Sequence, residues 1–283
     1  MSFVIFTEDT SDLPEDYVRN NNIKVVRIPC YINDEVCAVE PSRFYELMRS
    51  GILPTTSLVN ATTFVELFEP YLRNGDKILY IGFSSALSGT YEEGEKARKM
   101  LEAMYPNQLF VLDSKCASMG EGLLVDIAVT LRATGLDIEE VYKQLQQRIN
   151  KVCHYFTVDN LFHLYRGGRV SKTKATLGTL LQLKPILHVD NEGRLIPLTN
   201  VGGRKKSLKV LVDKMVEKCN GVAPTKVFIS HGDCWDDARF VADLVKLRLG
   251  VEDITMSYIG SVVGAHAGPN TVAVFFEISE GVR

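Results

Sequence analysis

Apolar segments with strand character alternate with amphipathic segments of helical period along the first half of the chain, and this order constrains the fold most strongly. The clearest unit begins with the apolar run Ile78–Phe83, turns at Ser84–Thr90, and continues as a charged helical pattern from Tyr91. Repetition of strand then helix is typical of a mainly parallel sheet with helices on both faces. Ligands of such sheets bind beyond the carboxyl ends of the strands. The sequence therefore predicts an α/β fold with a ligand site at that edge.

The other elements of the first half follow the same order. Three further strands are predicted at Phe3–Thr7, Lys24–Ile32 and Leu109–Leu112. Helices are predicted at Pro41–Ser50, Thr62–Arg73, Gly120–Arg132 and Ile138–Asn150, because apolar residues recur there with the helical period.

The pattern changes near Lys151, which predicts two α/β domains, residues 1–151 and 152–283. In the second half a hairpin is expected about Asp190–Gly193, a typical turn string. A helix is expected from Ser171 towards Leu183. The remaining predicted strands are Val152–Thr157, Lys226–Ser230, Ile254–Ile259 and Val272–Ile278, and the remaining longer helices are Lys205–Cys219 and Asp236–Leu249.

Composition excludes several classes of protein. The 283 residues carry a net charge of -3, which gives no support to a general nucleic-acid binder. No apolar run is long enough to span a membrane, and the N-terminus lacks the pattern of a signal peptide, so a cytoplasmic location is expected. The six cysteines are scattered and are expected to be reduced thiols. His231 and Asp233 are too few ligands for a metal site.

The turn at Ser84–Thr90 has the composition of an anion site. A helix that begins after it directs unpaired N–H groups and the positive end of its dipole at the turn. Ser84, Ser85, Ser88 and Thr90 add hydroxyl groups, and Gly89 allows a ligand to approach the backbone. The alternative is that Ser88 or Thr90 only caps the helix, and Thr56 or Ser57 has the same alternative role ahead of the helix at 62–73.

Five short segments, taken in order, resemble the DegV family, which includes the fatty-acid-binding subunits of bacterial fatty acid kinase. The resemblance covers nearly the whole chain. The segments are Thr7–Pro14, Pro54–Ser57, Ser84–Tyr91, Tyr165–Ser171 with Lys184–Leu187, and Gly264–Pro269. The chain departs from the family pattern at Glu8-Asp9, at Leu58-Val59 and at Asn270, and these departures leave the ligand-binding positions of the motifs unchanged.

The resemblance implies a two-domain protein that encloses one long-chain fatty acid, such as palmitate, in a tunnel between its domains. It implies that the carboxylate is bound by Thr56, Ser88 and His266, with Ser57 and the Gly89 amide as neighbours. If His266 were protonated, it would also be a charge partner for the carboxylate.

The resemblance further implies a carrier without catalytic residues, cofactor or metal. It would present the fatty acid to a separate ATP-dependent fatty acid kinase, which forms an acyl phosphate for phospholipid synthesis. Arg169 is the candidate for a partner-facing cation near the pocket mouth. The chain contains no phosphate-binding Gly-x-x-x-x-Gly-Lys-Ser/Thr string. Transient contact with a membrane surface is left open.

Two other functions remain compatible with the residues. The order of Ser84 or Ser88, then Asp233, then His266 matches the triad order of serine esterases with the α/β-hydrolase fold, although Ala86 replaces a glycine of the nucleophile turn. A binder of phosphate ligands would use the same helix N-terminus.

Overall fold

Three β-sheets and ten α-helices form the part of the chain, residues 3–171 and 183–283, that this computed structural model describes. The strands, numbered in chain order, are β1 (Val4–Glu8), β2 (Lys24–Val26), β3 (Cys30–Ile32), β4 (Glu35–Val36), β5 (Thr55–Thr56), β6 (Ile78–Gly82), β7 (Leu109–Asp113), β8 (Val152–Thr157), β9 (Leu183–Val189), β10 (Leu195–Gly202), β11 (Val227–His231), β12 (Ile254–Tyr258) and β13 (Val272–Glu277).

The helices vary widely in length. They are α1 (Glu15–Asn20), α2 (Pro41–Arg49), α3 (Ala61–Arg73), α4 (Thr90–Leu101), α5 (Met119–Ala133), α6 (Ile138–Arg148), α7 (Phe162–Arg166), α8 (Arg204–Cys219), α9 (Trp235–Leu249) and α10 (Ser261–Ala267). Among the described residues, no helix combines the length and the apolar character needed to cross a bilayer.

The first half contains the predicted parallel sheet. Its strand order is β2-β1-β6-β7, and all three strand pairs are parallel. Their carboxyl ends therefore lie at one edge, where the turns that follow β1 and β6 meet. The predicted α/β architecture is confirmed in this half.

The single strand predicted at Lys24–Ile32 is wrong. The structure divides it into β2, which belongs to the parallel sheet, and β3, which forms a small antiparallel sheet with β4 and β5. Pro29 lies between them and has no N–H to donate to a neighbouring strand. The chain therefore leaves one sheet there and begins another.

The second half is built on a six-stranded sheet with the order β10-β9-β8-β13-β11-β12. Only β11 and β12 are parallel, and the other four pairs are antiparallel. The predicted hairpin is confirmed, because β9 and β10 pair about the turn at Asp190–Gly193. The helix predicted after Ser171 falls on residues outside the described part of the chain, and the domain boundary at 151 stays a prediction.

Helix α5 joins the two halves through a shared core. Its apolar side chains pack between β1 and β6 of the first sheet and β8, β11 and β13 of the second. Gly120 lies so close to the second sheet that a Cβ atom there would fall 2.0 Å from His154 Nε2. The other faces of the sheets are covered separately, the first by α2, α3 and α4 and the second by α8 and α9.

Helix α10 belongs to the second half of the sequence but packs against the first. Gly264 is in contact with α2, since a Cβ atom there would fall 2.5 Å from the Tyr45 hydroxyl. The Tyr45 hydroxyl donates to the Ile259 carbonyl at 2.8 Å, and the Gly260 N–H donates to Asp12 Oδ1 at 2.8 Å. These contacts hold the start of α10 beside the carboxyl edge of the parallel sheet.

Candidate ligand site

A cavity of about 470 Å³ lies between the carboxyl edge of the parallel sheet and the inner face of the six-stranded sheet. Its wall includes the six residues that the family resemblance implied for ligand or partner binding: Thr56, Ser57, Ser88, Gly89, Arg169 and His266. These residues come from four separate segments of the chain. The fold therefore brings together residues that are far apart in the sequence.

Thr56 lies in β5, and its hydroxyl points to helix α10. The Thr56 Oγ1 atom is 2.8 Å from His266 Nε2, although the two residues are 210 positions apart. The alternative role of Thr56 or Ser57 as a helix cap is wrong. Asn60 caps α3, because its side chain accepts a hydrogen bond from the Thr63 N–H.

Burial keeps the imidazole of His266 neutral. It lowers the pKa of His266 to about 4, and the positive charges of Arg169 and Arg166 lower it further in the same direction. Near neutral pH, His266 in this structure is therefore uncharged. It does not act as a charge partner for a carboxylate, as a protonated imidazole would. Its role is that of a neutral hydrogen-bonding group.

The surroundings of the ring favour one tautomer. The Nδ1 atom is buried without a hydrogen-bond partner in the described residues and lies against Gly167, where a Cβ atom would be 2.1 Å away. A buried N–H without an acceptor is rare in proteins, and nearby guanidinium groups favour a lone pair over an N–H. We infer that Nε2 carries the proton and donates to Thr56, which leaves the Thr56 hydroxyl hydrogen free for a ligand.

Arg166 connects the two segments that carry this pair, a role that no sequence motif marks. Its Nη2 atom donates to the Pro54 carbonyl at 2.8 Å and to the Ala265 carbonyl at 3.2 Å. Pro54 precedes β5 by one residue, and Ala265 precedes His266. The guanidinium group thus fixes the separation of Thr56 and His266 from outside the cavity wall.

In the turn after β6, the hydroxyl group of Ser88 and the backbone of Gly89 are available to a ligand. Ser84 donates to the Gly193 carbonyl at 2.9 Å, and Ser85 donates to Asp113 Oδ2 at 2.6 Å. Ser88 lines the cavity, with its Oγ atom 3.0 Å from Thr90 Oγ1. The expectation that four hydroxyls of this turn face an anion is therefore wrong for Ser84 and Ser85, which bond to protein groups, and for Thr90, which is fully buried and does not line the cavity.

Arg169 lies in the cavity wall rather than free on the outer surface. It is partly buried, its Nε atom donates to the Leu87 carbonyl at 2.9 Å, and Nη1 donates to the Gly167 carbonyl. The side chain is close enough to influence the titration of His266. It therefore places a positive charge at the polar end of the cavity.

The esterase triad suggested by residue order is not assembled. Asp233 forms an ion pair with Arg49 at 2.5 Å, and Ser84 is buried against Gly193. His266 bonds to Thr56, and no carboxylate among the described residues bonds to its Nδ1 atom. A serine nucleophile needs a histidine base that is itself oriented by an acid, and Ser84, His266 and Asp233 do not form that arrangement.

Away from these polar groups the cavity wall is mainly apolar. Side chains of both sheets and of the connecting segments contribute to it, including Phe83, Leu87, Phe156, Leu164, Leu195, Val262 and Phe275. A cavity with a few convergent polar groups at one place and apolar walls elsewhere is typical of a site for an amphipathic small molecule.

Comparison with known families identifies the chain. The model of the family described as "Uncharacterised protein, DegV family" matches residues 2–279. The chain belongs to the DegV family. A DegV domain-containing protein of Clostridium perfringens is 42% identical over 281 residues, which cover 97% of each protein.

Solved DegV structures share the fold. A DegV family protein of Thermus thermophilus, described as fatty-acid binding, superimposes with a TM-score of 0.88 at 26% identity and covers 98% of this chain and 100% of its own. DegV of Bacillus subtilis, described as a fatty acid binding protein, gives a TM-score of 0.85 at 26% identity, with coverage of 99% and 100%. The fold expected from the resemblance is confirmed.

This DegV-family chain also carries a buried pair of carboxyl groups that the sequence analysis missed. Thr10 Oγ1 lies 3.2 Å from Glu8 Oε2 and 2.9 Å from Glu121 Oε2, and Tyr80 donates to Glu8 Oε1 at 2.5 Å. Glu8 and Thr10 line the cavity. Within the described residues, no group of three or more histidine, cysteine or acidic side chains is arranged to hold a metal ion.

Desolvation shifts both acids of this pair towards their neutral forms. Burial raises the pKa of Glu8 to about 7, and burial together with the charge of Glu8 raises the pKa of Glu121 well above its usual value. No cation of the described residues bonds to either carboxyl group, so nothing offsets the effect of burial on the pKa of the pair. Residues 8 and 121 are far apart in the sequence and no motif marks them. The pair is therefore evident only in the folded structure.

The raised pKa of Glu8 predicts a pH-dependent stability. The folded protein retains a proton that the unfolded chain loses above about pH 4.5, so this contribution is complete below that pH and is lost as the pH rises through about 7. We expect the free energy of unfolding, measured with urea, to fall less between pH 5 and 8 in Glu8→Gln than in the wild type. The matched control Glu66→Gln, in an exposed position of α3, should keep the wild-type slope. Equal slopes in all three proteins would contradict the assignment.

The environment of His266 predicts an imidazole that stays neutral down to about pH 5 in the ligand-free protein. Nitrogen-15 NMR of histidine-labelled protein should show the Nε2–H tautomer, with a titration midpoint near pH 4. Thr56→Val removes the acceptor of the Nε2 proton and should change that ring's spectrum more than the neighbouring Thr55→Val, whose residue is exposed. A midpoint above 6 would show that the ring is charged or solvated.

Proposed function

We propose that this protein binds one long-chain fatty acid in the cavity, with the carboxylate at the Thr56–Ser88 end. The observation that carries the proposal is the division of a single cavity wall into a small polar end and a larger apolar remainder. Fatty-acid binding by the Thermus thermophilus and Bacillus subtilis relatives supports it.

The polar end suits a carboxylate. The hydroxyl groups of Thr56, Ser57 and Ser88 and the N–H of Gly89 are donors at the cavity wall, and His266 orients the first of them. A hydrogen bond to a charged acceptor contributes about 1.5–3 kcal/mol, so two or three offset the several kcal/mol lost when a carboxylate leaves water. Arg169 adds a positive charge nearby without replacing these donors.

The apolar wall supplies most of the affinity for a long chain. Each methylene buried contributes roughly 0.8 kcal/mol, so a chain of about fifteen gains roughly 12 kcal/mol before the entropy lost on association. A phosphate ligand would use the same donors but would leave these apolar surfaces uncovered. The apolar wall of the cavity therefore favours a fatty acid over a phosphate compound.

We further propose that the bound acid is presented to a separate ATP-dependent fatty acid kinase, which forms an acyl phosphate for phospholipid synthesis. In this role the chain is a carrier subunit without catalytic residues of its own. The carboxylate end of the cavity must then be reachable by the partner, and Arg169 is the cation that we assign to stabilise the phosphoryl group there.

If the cavity binds a fatty acid, the purified protein should retain one, and substitutions at the polar end should lower the affinity for it. Organic extraction of the purified protein, followed by mass spectrometry, should release a long-chain fatty acid in near-stoichiometric amount. Thr56→Ala and Ser88→Ala should each lower the affinity for palmitate by about tenfold or more, because each removes a donor to a charged group. Thr55→Ala, on the opposite face of β5, should bind palmitate as the wild type does. Unchanged affinity in both cavity variants would refute the proposed site.

The carrier role predicts that acyl-phosphate formation depends on the kinase. With palmitate, ATP and the kinase present, hydroxylamine should trap palmitoyl hydroxamate, and omission of the kinase should abolish the product. Arg169→Ala should slow this transfer more than it weakens palmitate binding, measured separately by fluorescence displacement. Hydroxamate formed by this chain and ATP alone would show that the chain is itself an enzyme.

A further inference from the structure

Two cysteines face each other across the hairpin formed by β3 and β4. Asn33 and Asp34 have φ angles of 51° and 66°, which is the geometry of a two-residue type I′ turn. This turn sets Tyr31 opposite Val36, and the next opposed pair is Cys30 and Cys37, whose N–H donates to the Cys30 carbonyl at 2.8 Å. The thiols are therefore placed as cross-strand neighbours.

The backbone spacing of such a pair suits a disulfide. Opposed residues of a hydrogen-bonded antiparallel pair have Cα atoms about 5.5 Å apart, within the 4.4–6.8 Å or so that disulfides span. Burial raises the pKa of the Cys30 thiol to about 12, and Cys37 is close enough to add to that rise. Cys30 is buried and Cys37 only partly buried, so an oxidant reaches Cys37 first.

The same row of side chains continues into the ligand site. Cys30 is paired with Cys37 on one side and with Thr56 of β5 on the other. Directly opposed residues of antiparallel strands project from the same face of the sheet. The Cys30 Sγ atom also lies 3.7 Å from the carbonyl of Ser261, the first residue of the helix that carries His266.

We propose that Cys30 and Cys37 form a reversible disulfide that lowers the affinity of the neighbouring ligand site. With hydrogen peroxide as oxidant, the Cys37 thiol is first oxidised to a sulfenic acid, and one water is released. The Cys30 sulfur then attacks the Cys37 sulfur, its proton leaves with the hydroxyl group as a second water, and the S–S bond forms. The two thiols supply the two electrons that reduce the peroxide, and a dithiol reductant reverses the change.

The effect on the site follows from the distance that the strands must move. A disulfide requires Cβ atoms about 3.8 Å apart, whereas opposed residues without one lie about 4.5–5.5 Å apart. Closure therefore draws β3 and β4 together, and the part of this movement that falls on β3 carries Cys30 away from Thr56 and Ser261. This part of the inference rests on the proposed function, because it concerns the hydrogen bond between Thr56 and His266. Loss of one donor to the carboxylate corresponds to about tenfold lower affinity.

The test treats reduced protein with hydrogen peroxide and then measures two independent quantities. Intact-mass and peptide analysis should show the loss of two hydrogen atoms and a peptide that links Cys30 to Cys37. Palmitate affinity should fall about tenfold and recover with dithiothreitol. Cys37→Ser, at the more accessible position, should keep its affinity after peroxide. Cys219→Ser, which removes a thiol next to Cys153 in a separate core, should respond as the wild type does.

The possible failures are distinguishable. Absence of the linked peptide after peroxide treatment overturns the disulfide, whether or not the protein binds palmitate. Formation of the disulfide with unchanged palmitate affinity overturns its effect on the site. If reduced protein binds no palmitate at all, the proposed function fails together with that effect, and the mass analysis alone decides the disulfide.

Discussion

The hydrogen bond between Thr56 and His266 is the interaction on which the whole site depends. It joins a two-residue strand of the first half to a seven-residue helix of the second, and neither element is long enough to fix its own position. Arg166 supplies the missing constraint through the carbonyls of Pro54 and Ala265. The close approach of Gly264 to Tyr45 supplies another. The polar end of the cavity is therefore a product of packing between halves rather than of any local motif.

Burial has a common electrostatic consequence around this cavity. It lowers the pKa of His266 and raises the pKa values of Glu8, Glu121 and Asp12, in each case towards the neutral form. The wall of this cavity therefore carries little negative charge. This suits the carboxylate that we propose it receives. Arg169 remains as a charged group there, and its sign is favourable for an anion. The acidic side chains thus contribute hydrogen bonds to the fold without repelling the ligand.

Periodicity and turn chemistry predicted most of the architecture, because they are local properties. The helix at Ala61–Arg73 and the hairpin of β9 and β10 were recognised from residues that lie next to each other in sequence. The break at Pro29 was missed, since the apolar run on either side of it resembles one strand. Arg166 and the pair of Glu8 with Glu121 were missed for another reason: their partners are distant in sequence and no short motif marks them. Thr56 and His266 came from the family resemblance, whereas the turn that carries Ser88 and Gly89 was also indicated by its own composition.

The separation of Thr56 and His266 along the chain has a consequence for biosynthesis. A ribosome adds roughly 5–20 residues per second, so 210 residues correspond to roughly ten to forty seconds between the emergence of one partner and the other. Once β7 has emerged, the parallel sheet has all its strands, yet the strands of the six-stranded sheet that later enclose the cavity have not all been made. The nascent first half therefore exposes apolar surface until the second half, which ends with α10 and β13, has been made, and such surface is prone to aggregation.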